Sequence, residues 1–232
     1  MIDFHSHILP KMDDGSHSSE ESLQMLHMLS QQGVHTVVAT PHFYADADNP
    51  QHFLAKRALS WARLQEKMTP DLPRVHLGAE VCYYEGIARG EDIAELCLQN
   101  TRVLLLEMPF SPWSDRMLYE VSDLMQRQHL CLVLAHIERY LPFLSQEQFT
   151  ELQQEGFLIQ CNATFFLNWR TRRTALRMLR RGEIQLLGSD CHGSDYRPPR
   201  MAEAAQYISG KLGQAELDAL EQRAAQLLKD AE

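Results

Sequence analysis

The sequence predicts an α/β barrel in which parallel strands alternate with helices. Seven short runs rich in β-branched and aliphatic residues, each bounded by turn residues, are typical of strands. Segments with helical periodicity separate these runs almost throughout the chain. The number of strands favours a closed barrel over an open sheet. A chain of 232 residues with 44% hydrophobic residues is long enough to bury one large core.

The strands and helices are predicted in alternating order along the chain. The strand runs lie at residues 2–5, 36–40, 75–80, 103–107, 131–136, 157–162 and 184–190. The first helix begins at Ser18 or Ser19, because Ser18 and Glu21 have the spacing of a capping box, and it ends before Gly33. Later helices are predicted over residues 51–67, 114–128, 146–155, 168–181 and 200–210, followed by an extra C-terminal helix at about 214–230.

The composition excludes several classes of protein. A net charge of −9 is unsuited to a nucleic-acid or anionic-membrane partner. No apolar run approaches the roughly 20 residues of a membrane span, and the N-terminus lacks the basic stretch and apolar core of a signal peptide. We therefore expect a cytoplasmic protein with no membrane span. The sequence contains no linker, repeat or low-complexity tract, which predicts one domain over residues 1–232.

The five cysteines include no C-x-x-C pair, so they predict neither a disulfide framework nor a structural zinc site. Four of them lie in or beside apolar runs and are predicted to be buried, unreactive thiols: Cys82, Cys97, Cys131 and Cys161. Cys191 and Arg197 have the C-x5-R spacing of cysteine-dependent tyrosine phosphatases. Asp190 beside Cys191 would raise the thiol pKa, and chance alone explains such a short pattern. A cysteine mechanism is therefore disfavoured.

Residues that can bind metals stand at the ends of six of the seven predicted strands. The first run leads into His5-Ser6-His7, and an H-x-H pair at a strand end directs two imidazoles toward one point. The further candidates are His42, Glu80, Glu107, His136, Asp190 and His192, whereas the sixth run ends at Asn162, at best a weak ligand. Chemistry in parallel barrels collects at the C-terminal ends of the strands. The pattern therefore predicts a metal site there.

Each candidate ligand also has a structural interpretation. An isolated H-x-H pair is as often a pair of surface histidines. Glu107 could be paired with an arginine, and His136 could be a core histidine with satisfied hydrogen bonds. Asp13 and Asp14 compete for one ligand position, because either could instead serve as a turn residue or cap.

Several longer segments accompany these residues. They are Met1-Ile2-Asp3-Phe4-His5-Ser6-His7-Ile8-Leu9-Pro10, Asp13-Asp14-Gly15-Ser16, Ala39-Thr40-Pro41-His42, Gly78-Ala79-Glu80, Ala135-His136-Ile137-Glu138-Arg139-Tyr140, and Ser189-Asp190 with His192 and Arg197-Pro198-Pro199. In this order they resemble the polymerase and histidinol phosphatase (PHP) superfamily and, within it, the CpsB/CapC family. The resemblance runs from residue 1 to about 210. It implies a distorted (β/α)7 barrel and a manganese-dependent protein-tyrosine phosphatase of bacterial capsule and exopolysaccharide synthesis.

The resemblance also implies roles for individual residues. His5, His7, Glu80 and Asp190 would hold one metal; Glu80, Glu107 and His136 a second; Asp14, His42 and His192 a third. Arg139 and Arg197 match the family's phosphate-binding arginines, a task that suits the bidentate guanidinium. Two to three divalent ions are implied, manganese first, although such mixed ligands also suit iron or zinc.

The implied reaction is hydrolysis of a phosphate monoester by a metal-bridging hydroxide, while the arginines spread the developing charge. The expected substrate is phosphotyrosine in a protein, in particular the tail of a bacterial tyrosine kinase. Two alternatives stay open: a small phosphomonoester such as histidinol phosphate at the same metal site, and a non-catalytic metal-stabilised binding module. A homo-oligomer is also left open.

Two further features have competing interpretations. A basic run at helical spacing is favoured as a solvated face over a docking site for an acidic, tyrosine-bearing peptide; it comprises Arg172, Arg173, Arg177, Arg180 and Arg181. Phe165 and Phe166 are favoured as core residues over residues that contact a tyrosine ring.

Overall fold

Nine short strands, paired in parallel, form the centre of the described part of the chain. The computed structural model describes residues 1–90 and 92–229. The strands are β1 (Ile2–Ser6), β2 (Thr36–Ala39), β3 (His42–Phe43), β4 (Arg74–Leu77), β5 (Glu80–Cys82), β6 (Val103–Glu107), β7 (Cys131–Leu134), β8 (Leu158–Asn162) and β9 (Leu186–Gly188). They lie in the orders β1-β2-β4 and β3-β5-β6-β7-β8-β9.

Two of the seven barrel strands are bent, which divides each into two pieces. Only Thr40 and Pro41 separate β2 from β3, and only Gly78 and Ala79 separate β4 from β5. Pro41 has no N–H to contribute to a ladder, and a Cβ on Gly78 would press on neighbouring side chains. The seven strands are therefore present as predicted, but the prediction of one unbroken strand over residues 75–80 is wrong.

The barrel closes between β1 and the segment that follows β9. The N–H of Asp190 donates to the carbonyl of His5 at 2.8 Å, and the N–H of His7 donates to the carbonyl of Cys191 at 3.0 Å. Ser6 and Cys191 form an isolated parallel bridge. The expected distorted (β/α)7 barrel is thereby confirmed.

Eight α-helices occur among the described residues. They are α1 (Ser19–Gln31), α2 (Pro50–Gln65), α3 (Asp115–Arg127), α4 (Gln146–Glu155), α5 (Ala163–Leu167), α6 (Arg172–Arg180), α7 (Met201–Leu212) and α8 (Gln214–Leu228). Over residues 1–90 and 92–229, no helix combines the length and the apolar character that crossing a membrane requires. The extra C-terminal helix is present as α8, while residue 230, its predicted end, lies outside the described residues.

The helix predicted over residues 168–181 is wrong at its start. Its first residue in the structure is Arg172, and α5, which has no counterpart among the predicted helices, ends just before Asn168. Asn168 has an extended backbone (φ −73°, ψ 124°), and its side chain accepts the N–H of Arg170 at 2.9 Å. This local bond competes with helix continuation, as asparagine side chains commonly do.

The predicted start of α1 is confirmed, but its capping box is only half formed. The Ser18 hydroxyl accepts the N–H of Glu21 at 3.2 Å, whereas the Glu21 carboxylate accepts the N–H of His17 instead of that of Ser18. A complete capping box occurs at α4, between Ser145 and Gln148.

Strand side chains alternate between two buried clusters. Leu104 of β6 packs in the larger cluster with helix residues. Leu105 belongs to a second cluster, with side chains from β1, β2, β7 and β9. Because side chains of a strand alternate between its two faces, the second cluster is the barrel interior. Ala224 and Leu228 of α8 join it, so this helix closes one end of the barrel.

Toward the C-terminal ends of the strands the barrel interior becomes polar. Leu105 pairs with Glu80 of β5, and Glu80 pairs with His42 of β3. Residues paired in a parallel ladder project from the same face, and Glu107 lies two residues beyond Leu105. The register therefore directs three of the predicted ligands into the open end of the barrel.

Candidate metal centre

All nine predicted ligands lie together at the C-terminal rim of the barrel. Their donor atoms form groups in which every atom lies within 4.8 Å of the others. The groups are His5 with His7 and Asp190; Glu80 with Glu107 and His136; His7 with Asp14, His42 and His192; and His42 with Cys82 and Glu107. The structure thus brings the predicted residues together, and metal binding by them stays a prediction.

Four donor atoms form a compact polyhedron. His5 Nε2 lies 3.1 Å from His7 Nε2. Glu80 Oε2 lies 3.2 Å from the first of these nitrogens and 3.3 Å from the second. Asp190 Oδ1 lies 3.8 Å and 3.5 Å from the same two nitrogens. Donors around a tetrahedral ion with bonds of about 2.1 Å stand about 3.4 Å apart. This spacing therefore fits one small cation.

A second group shares Glu80 with the first. His136 Nε2 lies 2.8 Å from Glu80 Oε1 and 3.2 Å from Glu107 Oε1. Because Glu80 Oε2 faces His5 and His7, the two oxygens of one carboxylate face different groups. A carboxylate in this position can hold two cations about 3.5–4 Å apart.

Asp14 reaches the rim from the loop after β1. Its Oδ1 lies 3.7 Å from His42 Nε2 and 3.4 Å from His192 Nε2. The other ring nitrogen of His42, Nδ1, lies 3.0 Å from Glu80 Oε2. His42 therefore stands between the Asp14 group and the two groups that share Glu80.

The donor atoms at the rim are chemically suited to bind divalent cations. Four buried side-chain atoms at the rim have no hydrogen-bond partner among the residues that the structure describes: His42 Nδ1, Glu80 Oε2, His136 Nδ1 and His192 Nε2. A buried polar atom left unpaired costs about 1–3 kcal/mol. Imidazole and carboxylate are donors that manganese, iron and zinc accept. Bound cations would satisfy Glu80 Oε2 and the unpartnered nitrogens of His42 and His192, whereas the Nδ1 of His136 is the ring nitrogen opposite the one that faces Glu80 and Glu107.

Side chains beneath the rim orient the histidines. Nδ1 of His7 lies 2.7 Å from Asp13 Oδ2, and Nδ1 of His5 lies 3.2 Å from Gln160 Oε1. Donation from Nδ1 leaves the Nε2 lone pair free to bind a metal. Asp13 also accepts the N–H of Gly15 at 2.9 Å. The turn role considered for Asp13 is therefore present, together with an orienting role that the sequence did not indicate.

Gln160 and Asn162 form an amide chain that sequence reasoning missed. Gln160 Oε1 also accepts the N–H of His136 at 2.6 Å, and Gln160 Nε2 donates to Asn162 Oδ1 at 3.1 Å. Asn162 Nδ2 donates to Asp190 Oδ2 at 2.7 Å. The strand without a ligand at its end thus supports the ligands of its neighbours. The available signal was two polar residues at alternate positions in an otherwise apolar run.

We expect Gln160→Leu to weaken metal binding by about 10- to 100-fold, the usual cost of removing a group that orients a ligand. Leucine has a similar volume but cannot accept the bonds from His5 and His136. Competition against a chromophoric chelator measures the affinity. Gln154→Leu, at an exposed position, serves as the control. Equal affinity in both variants would contradict the orienting role.

Two arginines converge on one oxygen at the mouth of the site. Nη2 of Arg139 donates to Asp190 Oδ2 at 2.7 Å, and Nη2 of Arg197 donates to the same oxygen at 2.5 Å. Both side chains are partly exposed. Each guanidinium has five N–H donors, so both keep donors for an anion that arrives from solvent.

The electrostatics of the site keep its carboxylates ionised but favour protonation of two of its histidines. Burial would raise the pKa of Glu80, but neighbouring histidines hold it well below the ordinary value. Burial and repulsion from His7 lower the pKa of His192 to about 4. Burial would also lower the pKa of His7 and His136, but nearby carboxylates raise both, that of His136 to about 9. Cation binding must therefore displace protons from these two rings.

The backbone is strained at three residues of the rim. His136 has φ 29°, and Asp190 and Arg197 each have φ 51°. Residues with a side chain rarely adopt positive φ. Such strain persists where the surrounding structure enforces it, and it collects at functional sites.

Cys191 lies where a phosphatase nucleophile cannot act. Its side chain is fully buried, and burial together with the charge of Asp3 raises its thiol pKa. The thiolate, not the thiol, is the nucleophile. The geometry agrees with the sequence in disfavouring a cysteine mechanism.

We expect Cys191→Ser to keep most phosphatase activity, whereas a metal chelator should abolish it. The serine differs by one atom in a buried position, so thermal unfolding of the variant is measured alongside the rate. Loss of activity in a folded variant, combined with resistance to chelation, would establish the cysteine mechanism instead.

Cys82 is less buried than predicted, although its raised thiol pKa agrees with the prediction that it is unreactive. It is only half-buried, and its Sγ donates to Glu107 Oε2 at 2.7 Å. Burial and the Glu107 carboxylate raise the pKa of the thiol. Cys131 is also half-buried, whereas Cys97 and Cys161 are buried as predicted.

Two exposed aromatic rings flank the rim. Phe110, after β6, is 50% exposed, and its ring centroid lies 5.8 Å from that of His136. Tyr44, after β3, is 44% exposed, and its ring lies 5.3 Å from that of His42. Phe165 and Phe166 are buried. The favoured interpretation of those two residues as core is confirmed, and Phe110 and Tyr44 are the rings beside the site that the sequence did not reveal.

Known proteins are similar to this chain over nearly its whole length. The sequence model described as "Capsular polysaccharide synthesis, CpsB/CapC" matches residues 1–229. Tyrosine-protein phosphatase CpsB of Streptococcus pneumoniae is 30% identical over 224 residues, which cover 92% of this chain and 91% of the relative. Tyrosine-protein phosphatase YwqE of Bacillus subtilis (strain 168) is 25% identical over 225 residues, which cover 92% of this chain and 85% of YwqE.

A solved structure is similar over almost the entire fold. It belongs to a study of YwqE from Bacillus subtilis and CpsB from Streptococcus pneumoniae, described there as unique metal-dependent tyrosine phosphatases. The TM-score is 0.84 at 26% identity, and the match covers 99% of this chain and 95% of that one.

Proposed function

The chain belongs to the CpsB/CapC family of capsular polysaccharide synthesis, and from this membership we propose that it is a metal-dependent protein-tyrosine phosphatase. One observation of the structure carries the proposal: donor atoms spaced for a cation lie directly beneath two arginines that face solvent. A phosphate dianion requires concentrated positive charge of this kind. The proposed substrate is phosphotyrosine in a protein, in particular in a bacterial tyrosine kinase of capsule or exopolysaccharide synthesis.

We propose that two to three divalent ions bind at the rim, with manganese first and iron or zinc compatible with the same donors. The proposed ligands are His5, His7, Glu80 and Asp190; Glu80, Glu107 and His136; and Asp14, His42 and His192. Bound divalent ions supply Lewis acidity, which polarises phosphoryl oxygens and makes a nucleophile available near neutral pH. We further propose that a single domain carries this site.

The polypeptide would supply the remaining contributions. Arg139 and Arg197 would bind the phosphoryl oxygens through their outward N–H donors and hold the ester in one orientation. Asp13 and Gln160 would keep the imidazole nitrogens aimed at the rim. The leaving group of phosphotyrosine is a phenol with a pKa of about 10, so its departure depends less on a proton donor than that of an alkyl alcohol.

The aromatic side chains at the mouth favour an aryl phosphate over a small alkyl ester. Phe110 stacks on Tyr140 at 5.7 Å between centroids, and the Arg139 guanidinium lies 5.6 Å from the centre of the Phe110 ring. A phosphorylated ring held by Arg139 would therefore meet the exposed face or edge of Phe110. Aromatic pairs contribute about 0.5–1.5 kcal/mol beyond their buried area.

The deciding experiment combines metal analysis of the purified protein with rates on a phosphotyrosine peptide and on histidinol phosphate, each with and without added Mn²⁺. We expect bound transition metal, stimulation by Mn²⁺ and a clear preference for the peptide. A preference for histidinol phosphate would select the small-molecule alternative. Metal binding without hydrolysis of either substrate would select the non-catalytic module.

We expect Phe110→Ala to lower kcat/KM on a phosphotyrosine peptide by about tenfold, because one aromatic contact is lost. Rates on an alkyl phosphate should change much less, so the measurement is the ratio of the two kcat/KM values. Phe110→Leu keeps the apolar bulk without the ring and serves as a matched variant. An unchanged ratio in both variants would exclude Phe110 from substrate selection.

A further inference from the structure

An acidic chain carries a cluster of arginines, most of which have no carboxylate partner among the described residues. The net charge is −9, yet six arginines fall between residues 170 and 181. Among the described residues, only Arg181 of this segment lies within ion-pair distance of a carboxylate, that of Glu183 at 3.7 Å. Charges that are not neutralised by their own chain are available to a partner of opposite sign.

An exposed tryptophan lies at the start of this segment. Trp169 is 71% exposed, whereas Trp113 is buried and Trp61 is half-buried. The guanidinium of Arg170 lies 4.9 Å from the centre of the Trp169 ring. An exposed tryptophan paired with arginine is the composition typical of binding hot spots.

Trp169 lines a surface groove of about 560 Å³, and Glu138 and Arg200 contribute to the same lining. The Glu138 carboxylate accepts the N–H of Asn162, the residue whose side chain bonds to Asp190. Glu138 also directly precedes Arg139 in the chain. The groove lining is thus linked to the proposed ligand Asp190 through a single residue, Asn162, so a peptide bound at the metal centre could extend into the groove.

We propose that this groove, termed the Trp169 groove, binds an acidic segment that flanks the phosphotyrosine of the protein substrate. The inference rests on the proposed function and adds to it a preference for sequence around the scissile phosphate. Trp169 would provide a flat apolar platform for the peptide. Arg170, with Arg172 and Arg173 two and three residues further along the chain, would attract its carboxylates or additional phosphates.

The charges already present in the groove define where an acidic residue would bind. Arg200 is paired with Glu203 in a double hydrogen bond, and Glu138 contributes a carboxyl group to the groove lining. Arg170 lies beside Trp169, with its guanidinium 4.9 Å from the centre of the ring, and Arg173 follows three residues later in the chain. The acidic residues are therefore placed close to Trp169.

Binding is tested first without catalysis. The probe is an unphosphorylated peptide rich in glutamate. Its binding is monitored through the fluorescence of Trp169, the exposed tryptophan. We expect a salt-sensitive change in emission that is absent for a matched glutamine peptide and absent in Trp169→Phe. Tighter binding of RNA or of anionic lipid vesicles than of the peptide would overturn the assignment, as would an equal response to the glutamine peptide.

Kinetic measurements then test whether the arginines favour substrates with acidic residues beside the phosphotyrosine. The double variant R170Q/R173Q should lower kcat/KM about tenfold on a phosphotyrosine peptide with acidic flanks, mainly through KM. Rates on a peptide with neutral flanks and on a small aryl phosphate should stay within about twofold. The control is R180Q/R181Q, which removes the charge of Arg180 and the paired charge of Arg181 at the C-terminal end of α6, roughly 12 Å further along.

The two experiments separate the groove from the proposed function. Peptide binding without hydrolysis of any phosphotyrosine would retain the groove and reject the phosphatase. Hydrolysis with equal losses on all substrates in R170Q/R173Q, or equal effects in R180Q/R181Q, would reject the groove and retain the phosphatase.

Discussion

Replacing Glu80 with glutamine is expected to lower kcat/KM on a phosphotyrosine peptide by about 10³-fold or more. The side chain keeps its size and loses its charge, and its nitrogen can no longer bind a cation. Glu80 Oε2 faces His5 and His7, while Oε1 faces His136. One substitution therefore weakens two of the proposed metal groups. A bound metal contributes several kcal/mol to stabilisation of the transition state, and each 1.36 kcal/mol is a factor of ten in rate.

Metal content and activity are measured together on the same preparation. We expect the bound metal per chain to fall along with the rate, and added Mn²⁺ to restore only part of the activity. Glu151→Gln, a matched change at an exposed position on α4, should behave as the wild-type protein. A Glu80→Gln variant with full metal content and full activity would show that Glu80 is a structural carboxylate that only balances the buried histidines.

The positions of these ligands could be predicted from sequence because of a property of parallel strands. All strands of the barrel point the same way, so residues such as His5 and His136, far apart in the chain, reach the same rim. Locating the strand ends was therefore enough to predict that eight of the nine residues converge, whereas Asp14, in the loop after β1, was assigned from the family resemblance. The local bends at Pro41 and Gly78 shifted strand boundaries without moving the ligands away from the rim.

The supporting contacts could not be predicted in the same way. The bond between His5 and Gln160 joins residues 155 positions apart, and nothing in either local sequence specifies it. Phe110 resembles an ordinary apolar residue until its exposure beside His136 is seen. Sequence motifs indicate which residue types lie at the ends of strands. The orientation of a side chain depends on packing between strands and helices, which the local sequence does not specify.

The second large effect is expected for the two arginines at the mouth. Arg139→Lys and Arg197→Lys should each lower kcat/KM by on the order of 10²-fold, the usual effect of removing one group that stabilises transition-state charge. Lysine keeps the positive charge but loses the fork of N–H donors that matches phosphate. Inhibition by inorganic phosphate should weaken in parallel, because the product presents the same oxygens. Arg63→Lys, at an exposed position on α2, is the control.

The same variants distinguish phosphate binding from a purely structural role. Both guanidinium groups contact Asp190 Oδ2, whose partner oxygen faces His5 and His7. If the arginines served only to hold this carboxylate, their replacement would lower metal content, and activity would fall with it. We expect metal content to stay unchanged, since Asn162 also holds Asp190 Oδ2. Loss of phosphate affinity at constant metal content is the result that assigns both arginines to the substrate, and loss of metal at constant phosphate affinity is the result that removes them from it.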